Sequence, residues 1–357
     1  MSHPHVSGLP KTYGLTMKPT TTDDIFDLME SYVTSTALNV ALETGLFWLL
    51  AEGPMDAKGI AEAQNIPLGR CQYWLQLLVS VGLLQQRPEG YLPSPTTRAA
   101  IMGSYSEETW SFLAKETRDR FPALLHLALH IHEPGSVWTA LGLTPPDYFA
   151  QISRNSTTAD RFTRMLYEIH LPLAEHIAQV LDMRGVDRLL DLGGGSGVVS
   201  LALLRRYPQL TAVVVDIPNV CKAGRSIAAE NSLDDRISYH AADYHSDELP
   251  SGFDMVLECD AGPCTESLLG KIRTSLNPGG RLVVVDQFAP LRGVAPSTWL
   301  YWAFLASLEN PNFTLPTAAE VQKRMEQAGF QVLHQQRLPH HDVLRWSSDW
   351  TLIEASK

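Results

Sequence analysis

Between Ile25 and Leu50 the apolar residues return at helical spacing: Ile25, Leu28, Met29, Tyr32, Val33, Leu38, Ala41, Leu42 and Leu46. That pattern predicts a helix whose apolar stripe is wide enough to be buried on more than one side. Gly53-Pro54 breaks it, Asp56 is placed to cap a short second helix, and Asn65-Ile66-Pro67 reads as a turn. A third helix is predicted from Leu68 to Val81, stopping at Gly82, and two short strands, Leu83 to Gln86 and Tyr91 to Pro93, flank Arg87-Pro88-Glu89-Gly90. Three helices and a strand-turn-strand make a winged-helix pattern. The third helix carries one basic residue, Arg70, among Tyr73, Trp74, Leu75, Leu77 and Leu78. A groove-reading helix needs several Lys or Arg for phosphates, so the composition favours a module that packs on another subunit over a DNA reader.

From Tyr105 to Met183 the pattern is helical, interrupted near Glu133-Pro134-Gly135 and Thr144-Pro145-Pro146. Within it, Phe162, Met165, Leu166 and Ile169 share one face, with His170 at the end. Beyond Val186 the texture changes. Strand-like runs (Arg188 to Leu190, Ala212 to Val215, Ile237 to His240, Met255 to Leu257, Arg281 to Val285) alternate with helical stretches, as βαβ units on a parallel sheet require. The expected organisation is a tail over 1–20, a winged-helix-like domain over 21–104, a helical connector over 105–183, and a nucleotide-binding-type α/β domain over 184–357.

The densest chemical signal is Leu189-Leu190-Asp191-Leu192-Gly193-Gly194-Gly195-Ser196-Gly197, where the first strand of this domain meets its first helix. Glycines there let the backbone turn tightly and a ligand approach closely. The next strand ends at Asp216, where a carboxylate can accept hydrogen bonds from both ribose hydroxyls of a nucleoside. A dinucleotide fingerprint, G-x-G-x-x-G, needs a third small residue. Counting from Gly193 gives Val198 and from Gly195 gives Ser200, so the spacing here is G-x-G-x-G behind an acid. That form favours S-adenosylmethionine, whose sulfonium and amino-acid part need no pyrophosphate cradle. After a further strand come Ala242-Asp243-Tyr244, with Asp243 a candidate acceptor for the adenine amino group and Tyr244 for stacking on the ring. The candidate cofactor residues are Asp191, Gly193, Gly195, Gly197, Asp216, Ile217, Asp243, Tyr244 and Cys259.

With these motifs the chain resembles the small-molecule O-methyltransferases of plants and bacteria, which join a winged-helix dimerisation domain to a Rossmann-like methyltransferase domain. The resemblance runs from Ile25 to the C-terminus. It rests on Asp191 to Gly197, Asp216-Ile217-Pro218, Ala242-Asp243-Tyr244, Asn277-Pro278-Gly279-Gly280 and Ala328-Gly329-Phe330. It implies a mostly parallel seven-stranded sheet, S-adenosylmethionine as cofactor with S-adenosylhomocysteine as product, a homodimer, and a small-molecule substrate.

The chain departs from that family at the catalytic histidine. Members carry His-Asp-Trp after the fourth strand of the domain; here the segment is Glu258-Cys259-Asp260-Ala261-Gly262-Pro263-Cys264. Counting from Gly279-Gly280 puts Glu258 at the histidine's place, and counting from Phe253-Asp254 puts Pro263 there. No histidine lies between His245 and His334. Of the two supporting carboxylates, one is kept in kind as Asp286 and the other falls on Leu315. Glu258, Asp260, Asp286 and His170 are therefore the candidate catalytic residues, since burial can raise a carboxylate toward a base's working range. His132 and the pair His340-His341 are weaker candidates. Neither that pair nor Cys259 and Cys264 has the partners of a metal site. Trp110, Phe149, Met165, Trp299 and Trp302 are candidates to line an apolar substrate pocket.

Composition narrows the remaining classes. The 357 residues are 45% hydrophobic and 19% charged, with a net charge of −11, which disfavours a phosphate-gripping surface. No apolar run reaches the ~20 residues of a membrane span, the first twenty residues lack the form of a signal peptide, and four scattered cysteines make no disulfide framework. A cytoplasmic protein is expected. Three functions stay open: methyl transfer to oxygen, nitrogen or carbon of a small apolar or aromatic metabolite; a rearrangement, cyclisation or decarboxylation in which the bound sulfonium serves as a fixed cation; and a winged-helix regulator that binds DNA.

Overall fold

The computed structural model describes residues 19–262, 264–289, 297–338 and 350–357, without the side chains of 297–299. Pro263, the Trp299 side chain, His340-His341 and nearly all of the expected tail lie outside the described residues.

The N-terminal helices span Thr22–Glu43, Leu46–Leu49, Ala57–Ala63 and Leu68–Ser80, followed by a hairpin of β1 (Leu84–Arg87) and β2 (Gly90–Pro93). The stretch from Ile25 to Leu50, expected as one helix, breaks at Gly45. Its φ of +68° is left-handed, and a Cβ there would strike the Glu107 side chain. Asp56 does cap the short helix, accepting from Gly59 N at 2.7 Å. Leu42, Leu46, Phe47, Leu50, Ile60, Cys71, Leu75 and Leu78 form a closed core. The stripe on the first helix is only partly used within one chain, since Ile25, Phe26, Leu28, Met29, Tyr32 and Val33 remain exposed.

Two long helices, Glu107–Leu125 and Ser156–Val180, dominate the middle layer. The Glu168 carboxylate on the second accepts Ser106 N at 2.8 Å, just before the first begins. The remaining strands are β3 (Arg188–Leu192), β4 (Thr211–Asp216), β5 (Ile237–Ala241), β6 (Phe253–Cys259), β7 (Leu276–Gln287), β8 (Gln331–Arg337) and β9 (Trp350–Ser356). They form one seven-stranded sheet in the order β5-β4-β3-β6-β7-β9-β8. β3 to β7 are mutually parallel and β9 runs antiparallel to both neighbours. This is the mostly parallel, Rossmann-like sheet that the motifs implied.

Alternate strand residues serve two cores. Leu189, Val214, Leu257 and Val283 meet the helices Ser156–Val180, Val198–Arg206 and Pro218–Glu230; Leu190, Val256 and Val284 meet Glu266–Ser275 and Ala318–Gln327. The chain reverses direction of sheet growth at β3, with β4 and β5 added on one side and β6 and β7 on the other. A sheet of this kind opens a crevice at the carboxyl ends of its strands, at the switch point. The motif residues sit there. Among the described residues no helix is long and apolar enough to cross a membrane.

Candidate active site

The glycine loop leaves β3 through left-handed backbone at Gly193, Gly195 and Gly197, with φ of +65°, +58° and +76°. Gly193 N donates to Val215 O at 2.9 Å and Gly197 N to Gly194 O at 2.7 Å, so the turn is pinned before helix Val198–Arg206 starts. A Cβ at Gly193 would lie 2.5 Å from the Ala261 Cβ, and one at Gly194 2.4 Å from the Asp191 Cγ. At Gly195 an added Cβ meets nothing within 4 Å, which marks the open side of the cradle.

The acids around this loop divide by orientation. Asp191, expected to touch the cofactor, is instead turned under the loop, buried, with Ser200 Oγ donating to it at 2.6 Å. Burial pushes its carboxyl up to about 6. Asp216 stands at the end of β4, accepting from Gly195 N (3.0 Å) and Ile217 N (2.7 Å). It too is raised by burial to about 6. Ile217 packs with Ile152, Ala159 and Val220. Asp243 accepts His245 N at 2.9 Å, and that backbone bond holds its carboxyl below the usual range. The Tyr244 hydroxyl donates to Ala261 O, and its ring edge lies beside Gly193.

The loop has supports that the sequence did not single out. Tyr239, on β5, donates its hydroxyl to Ser196 O at 2.8 Å. Lys271 reaches His245 O (2.7 Å) and Asp247 O (2.9 Å), fixing the turn that follows Asp243 and Tyr244. The alternation of β5 signals an inward Tyr239, but nothing local names its partner.

A second group lies one and two strands away. Leu192 pairs with Glu258 and Cys259 with Val285, so Gly193, Cys259 and Asp260, and Asp286 follow each other along the sheet edge. Asp260 N donates to Val285 O at 3.0 Å, which sets Asp260 beside Asp286. Glu258, by contrast, points down into the lower core. Its Oε1 accepts Ala261 N at 3.1 Å, its Oε2 is 3.7 Å from Cys264 Sγ, and its side chain is almost wholly buried. Burial first, and then the nearby Asp286 charge, raise its carboxyl well above the ordinary range. Glu258 shapes the turn rather than facing the crevice, contrary to its expected part as a base. Cys259 is half-buried against the upper core.

His170 arrives from helix Ser156–Val180. Its Nδ1 lies 2.9 Å from Leu166 O, which can only accept, so Nδ1 carries a hydrogen. Its Nε2 stands 3.3 Å from Asp260 Oδ2, and its ring meets Trp350 edge-on. Burial opposes the imidazolium, but Asp260 and the Leu166 carbonyl outweigh that and leave the pKa raised. Asp260 itself has a left-handed φ of +56°. This is an uncommon conformation for a non-glycine residue, and it turns the carboxylate to His170. Asp286 is half-buried. Its Oδ1 accepts Gln287 N at 2.6 Å, and Oδ2 has no hydrogen-bond partner among the described residues. Burial, with Asp260 adding to it, pushes Asp286 up to about 7.

The aromatic candidates do not form one set. Trp110 donates its indole N–H to Ile101 O at 2.9 Å and packs, partly buried, on the N-terminal core. Met165 is buried, whereas Phe149 is largely exposed. Trp302 lies edge-on to Phe313 and forms an exposed aromatic band with Tyr301 and Phe304.

Residues 126–331 match the model of the O-methyltransferase domain, and residues 26–105 that of the O-methyltransferase dimerisation domain. The chain belongs to the O-methyltransferase family. It is an S-adenosylmethionine-dependent methyltransferase. Among characterised relatives it is 26% identical to the N,N-dimethyltransferase OxyT of Streptomyces rimosus, over 92% of this chain and 95% of that one. It is 32% identical to the 3-hydroxy-5-methyl-1-naphthoate 3-O-methyltransferase of Streptomyces sahachiroi, over 65% of this chain and 66% of that one. Its fold is that of human N-acetylserotonin methyltransferase, solved in complex with its cofactor (TM-score 0.75, 20% identity, covering 96% of this chain and 99% of that one).

In this methyltransferase the buried acids are expected to shape stability. Asp191, Asp216 and Asp286 hold protons up to about 6, 6 and 7 when folded, against about 3.9 for an unfolded aspartate. The folded state thus binds more protons between those values, and stability of the ligand-free protein falls as pH rises from about 4 to about 7. Asp286→Asn is expected to raise the melting temperature at pH 8 and change it little at pH 4, by scanning calorimetry. An unchanged melting temperature at pH 8 would contradict the assignment.

Proposed function

We propose that this methyltransferase acts on a small, largely apolar or aromatic metabolite, with Asp286 in place of the family's histidine as the base. The observation that carries the reading is the Asp286 carboxyl, half-buried at the sheet edge, its Oδ2 without a hydrogen-bond partner among the described residues, and raised to about 7. A base poised near the working pH is the form general-base catalysis favours.

The residues present fit the cofactor. The open side at Gly195 gives room for backbone approach. Asp216, anchored by the Gly195 and Ile217 amides, keeps acceptor capacity for ribose hydroxyls. Asp243, with Oδ1 on His245 N, offers an acceptor to the adenine amino group. When bound, S-adenosylmethionine supplies an electrophilic methyl group on a cationic sulfur. The chain's share is to align the acceptor, exclude water and take the acceptor's proton at Asp286 Oδ2. His170 Nε2, 3.3 Å from Asp260 Oδ2, directs that carboxylate, and Asp260 adds to the burial that raises Asp286. Acceptors that bear a removable proton on oxygen or nitrogen suit this arrangement, and the likeness to an N,N-dimethyltransferase supports including nitrogen. The exposed stripe of Ile25, Phe26, Met29 and Tyr32 on the dimerisation module supports a homodimer closed by that face.

Asp216→Ala is expected to weaken S-adenosylhomocysteine binding by ~1.5–3 kcal/mol, measured by calorimetry; unchanged affinity would remove Asp216 from the site. Light scattering should give about twice the 39.5 kDa chain mass, and a persistent monomer would count against the stripe as an interface. With the true substrate, Asp286→Asn is expected to lower kcat by ~10²–10⁴, with S-adenosylhomocysteine formed in equal amount to product. Full activity in Asp286→Asn would retire the base, and substrate conversion without S-adenosylhomocysteine would replace methyl transfer with chemistry at a fixed sulfonium.

A further inference from the structure

We propose that the rim formed by Asp260 and Asp286 distinguishes the methylated cofactor from its demethylated product by charge. The inference rests on the cofactor site assigned above. S-adenosylmethionine carries a fixed positive charge at sulfur that S-adenosylhomocysteine lacks, and the two are otherwise nearly the same shape. Hydrogen bonds to ribose or adenine therefore hold both alike. Only a charged group near the crevice tells them apart.

The geometry places that charge. Asp260 and Asp286 lie side by side, one register step past the Cys259–Val285 pair, and the Gly193 loop lies on the next strand over. These steps are about 5 Å each. The groups facing Asp286 are few. From β6 and its turn come Glu258, Cys259, Asp260 and Cys264, which all act on it or are acted on by it as anions or neutral thiols. From β3 comes Asp191, held by Ser200. From β9, Thr351 lies opposite in register. From helix Ser156–Val180 comes His170, already paired with Asp260. Arg324 acts only as far as Cys264. Asp260 is engaged by His170 across 3.3 Å, and Glu258 is buried in the turn with its carboxyl raised well above the ordinary range, which leaves the half-buried Asp286 as the acid through which the charge of the rim changes.

Asp286 is raised to about 7 in the ligand-free chain. A cation seated on the glycine loop favours its ionised form, and a neutral ligand does not. Binding of S-adenosylmethionine then releases a proton and leaves the base ionised, ready to accept from the substrate. After transfer the sulfur is neutral and Asp286 holds the substrate's proton, so the attraction is gone when the product must leave. A unit charge roughly 10 Å away at an effective dielectric of about 20 changes affinity on the order of tenfold.

The test is titration calorimetry of the full-length protein with S-adenosylmethionine and with S-adenosylhomocysteine at pH 6, 7 and 8. In wild type the preference for the methylated form is expected to rise about fivefold from pH 6 to 8, the part of the tenfold coupling that falls within this window. Repeating pH 7 in buffers of different ionisation heat should show proton release with S-adenosylmethionine and almost none with S-adenosylhomocysteine. Asp286→Asn should flatten the pH dependence and lower the preference while S-adenosylhomocysteine still binds. Asp260→Asn removes the charge that raises Asp286, so the rise should move to lower pH. Parallel pH dependence for the two ligands, or an unaltered preference in Asp286→Asn, would overturn the charge discrimination and leave the cofactor site standing. Failure of both ligands to bind wild type would overturn the cofactor site, and the inference with it.

Discussion

Five carboxylates at one sheet edge are the constraint on which the rest of this site depends. Asp191, Asp216, Glu258, Asp260 and Asp286 all come from the carboxyl ends of parallel strands or the residue just beyond. Parallel strands force this crowding, because every strand delivers its last side chains to the same edge. Charges this close and this dry cannot all ionise without compensation. The chain answers each one separately. Asp191 takes the Ser200 hydroxyl, Asp216 takes two backbone amides, Glu258 takes the Ala261 amide beside the Cys264 thiol, and Asp260 takes His170. Asp286 accepts from the amide of its own neighbour, Gln287, and its Oδ2 has no hydrogen-bond partner among the described residues. A raised carboxyl with an open oxygen at the edge of a crevice is where function is to be sought.

The turn after β6 and the glycine loop are built as one unit. The backbone after β6 passes through left-handed Asp260 and brings Ala261 against Gly193 and under the Tyr244 hydroxyl. That contact locks the glycine loop to the β6 turn. A shift of one moves the other, so the glycine loop and the Asp260–Asp286 rim are positioned together. An imidazole reaches this turn from elsewhere: His170, from a helix 90 residues earlier in the chain, meets the Asp260 carboxylate.

What the sequence made legible was the chemistry whose geometry is local. The glycine run, the acid ending β4 and the acid ahead of Tyr244 each announce themselves within a few residues, because a turn and its neighbouring strand end fix them. Orientation was less accessible. Asp191 and Asp216 both sit at strand ends, yet one faces Ser200 beneath the loop and the other the crevice, and only packing decides which. Glu258 shares the face of Val256 on β6, so its inward direction follows from strand alternation once the bounds of β6 are known. Trp110 looked like a pocket residue because aromatic type alone carries no partner; its indole is committed to Ile101. The close approach of Glu107 to Gly45 joins positions 62 apart, and the His170–Asp260 pair has no sequence spacing that would reveal it. Long-range contacts of that kind are what the fold adds.

The central claim is that Asp286 is a carboxyl held near neutrality by burial and by its acidic neighbour. The most direct measurement is a carbon-13 NMR titration of the aspartate carboxyl carbons in the ligand-free protein, with the Asp286 signal assigned by its absence in Asp286→Asn. The account gives a midpoint close to 7 for that signal, moving lower in Asp260→Asn. A midpoint near the ordinary value of about 4 would contradict it.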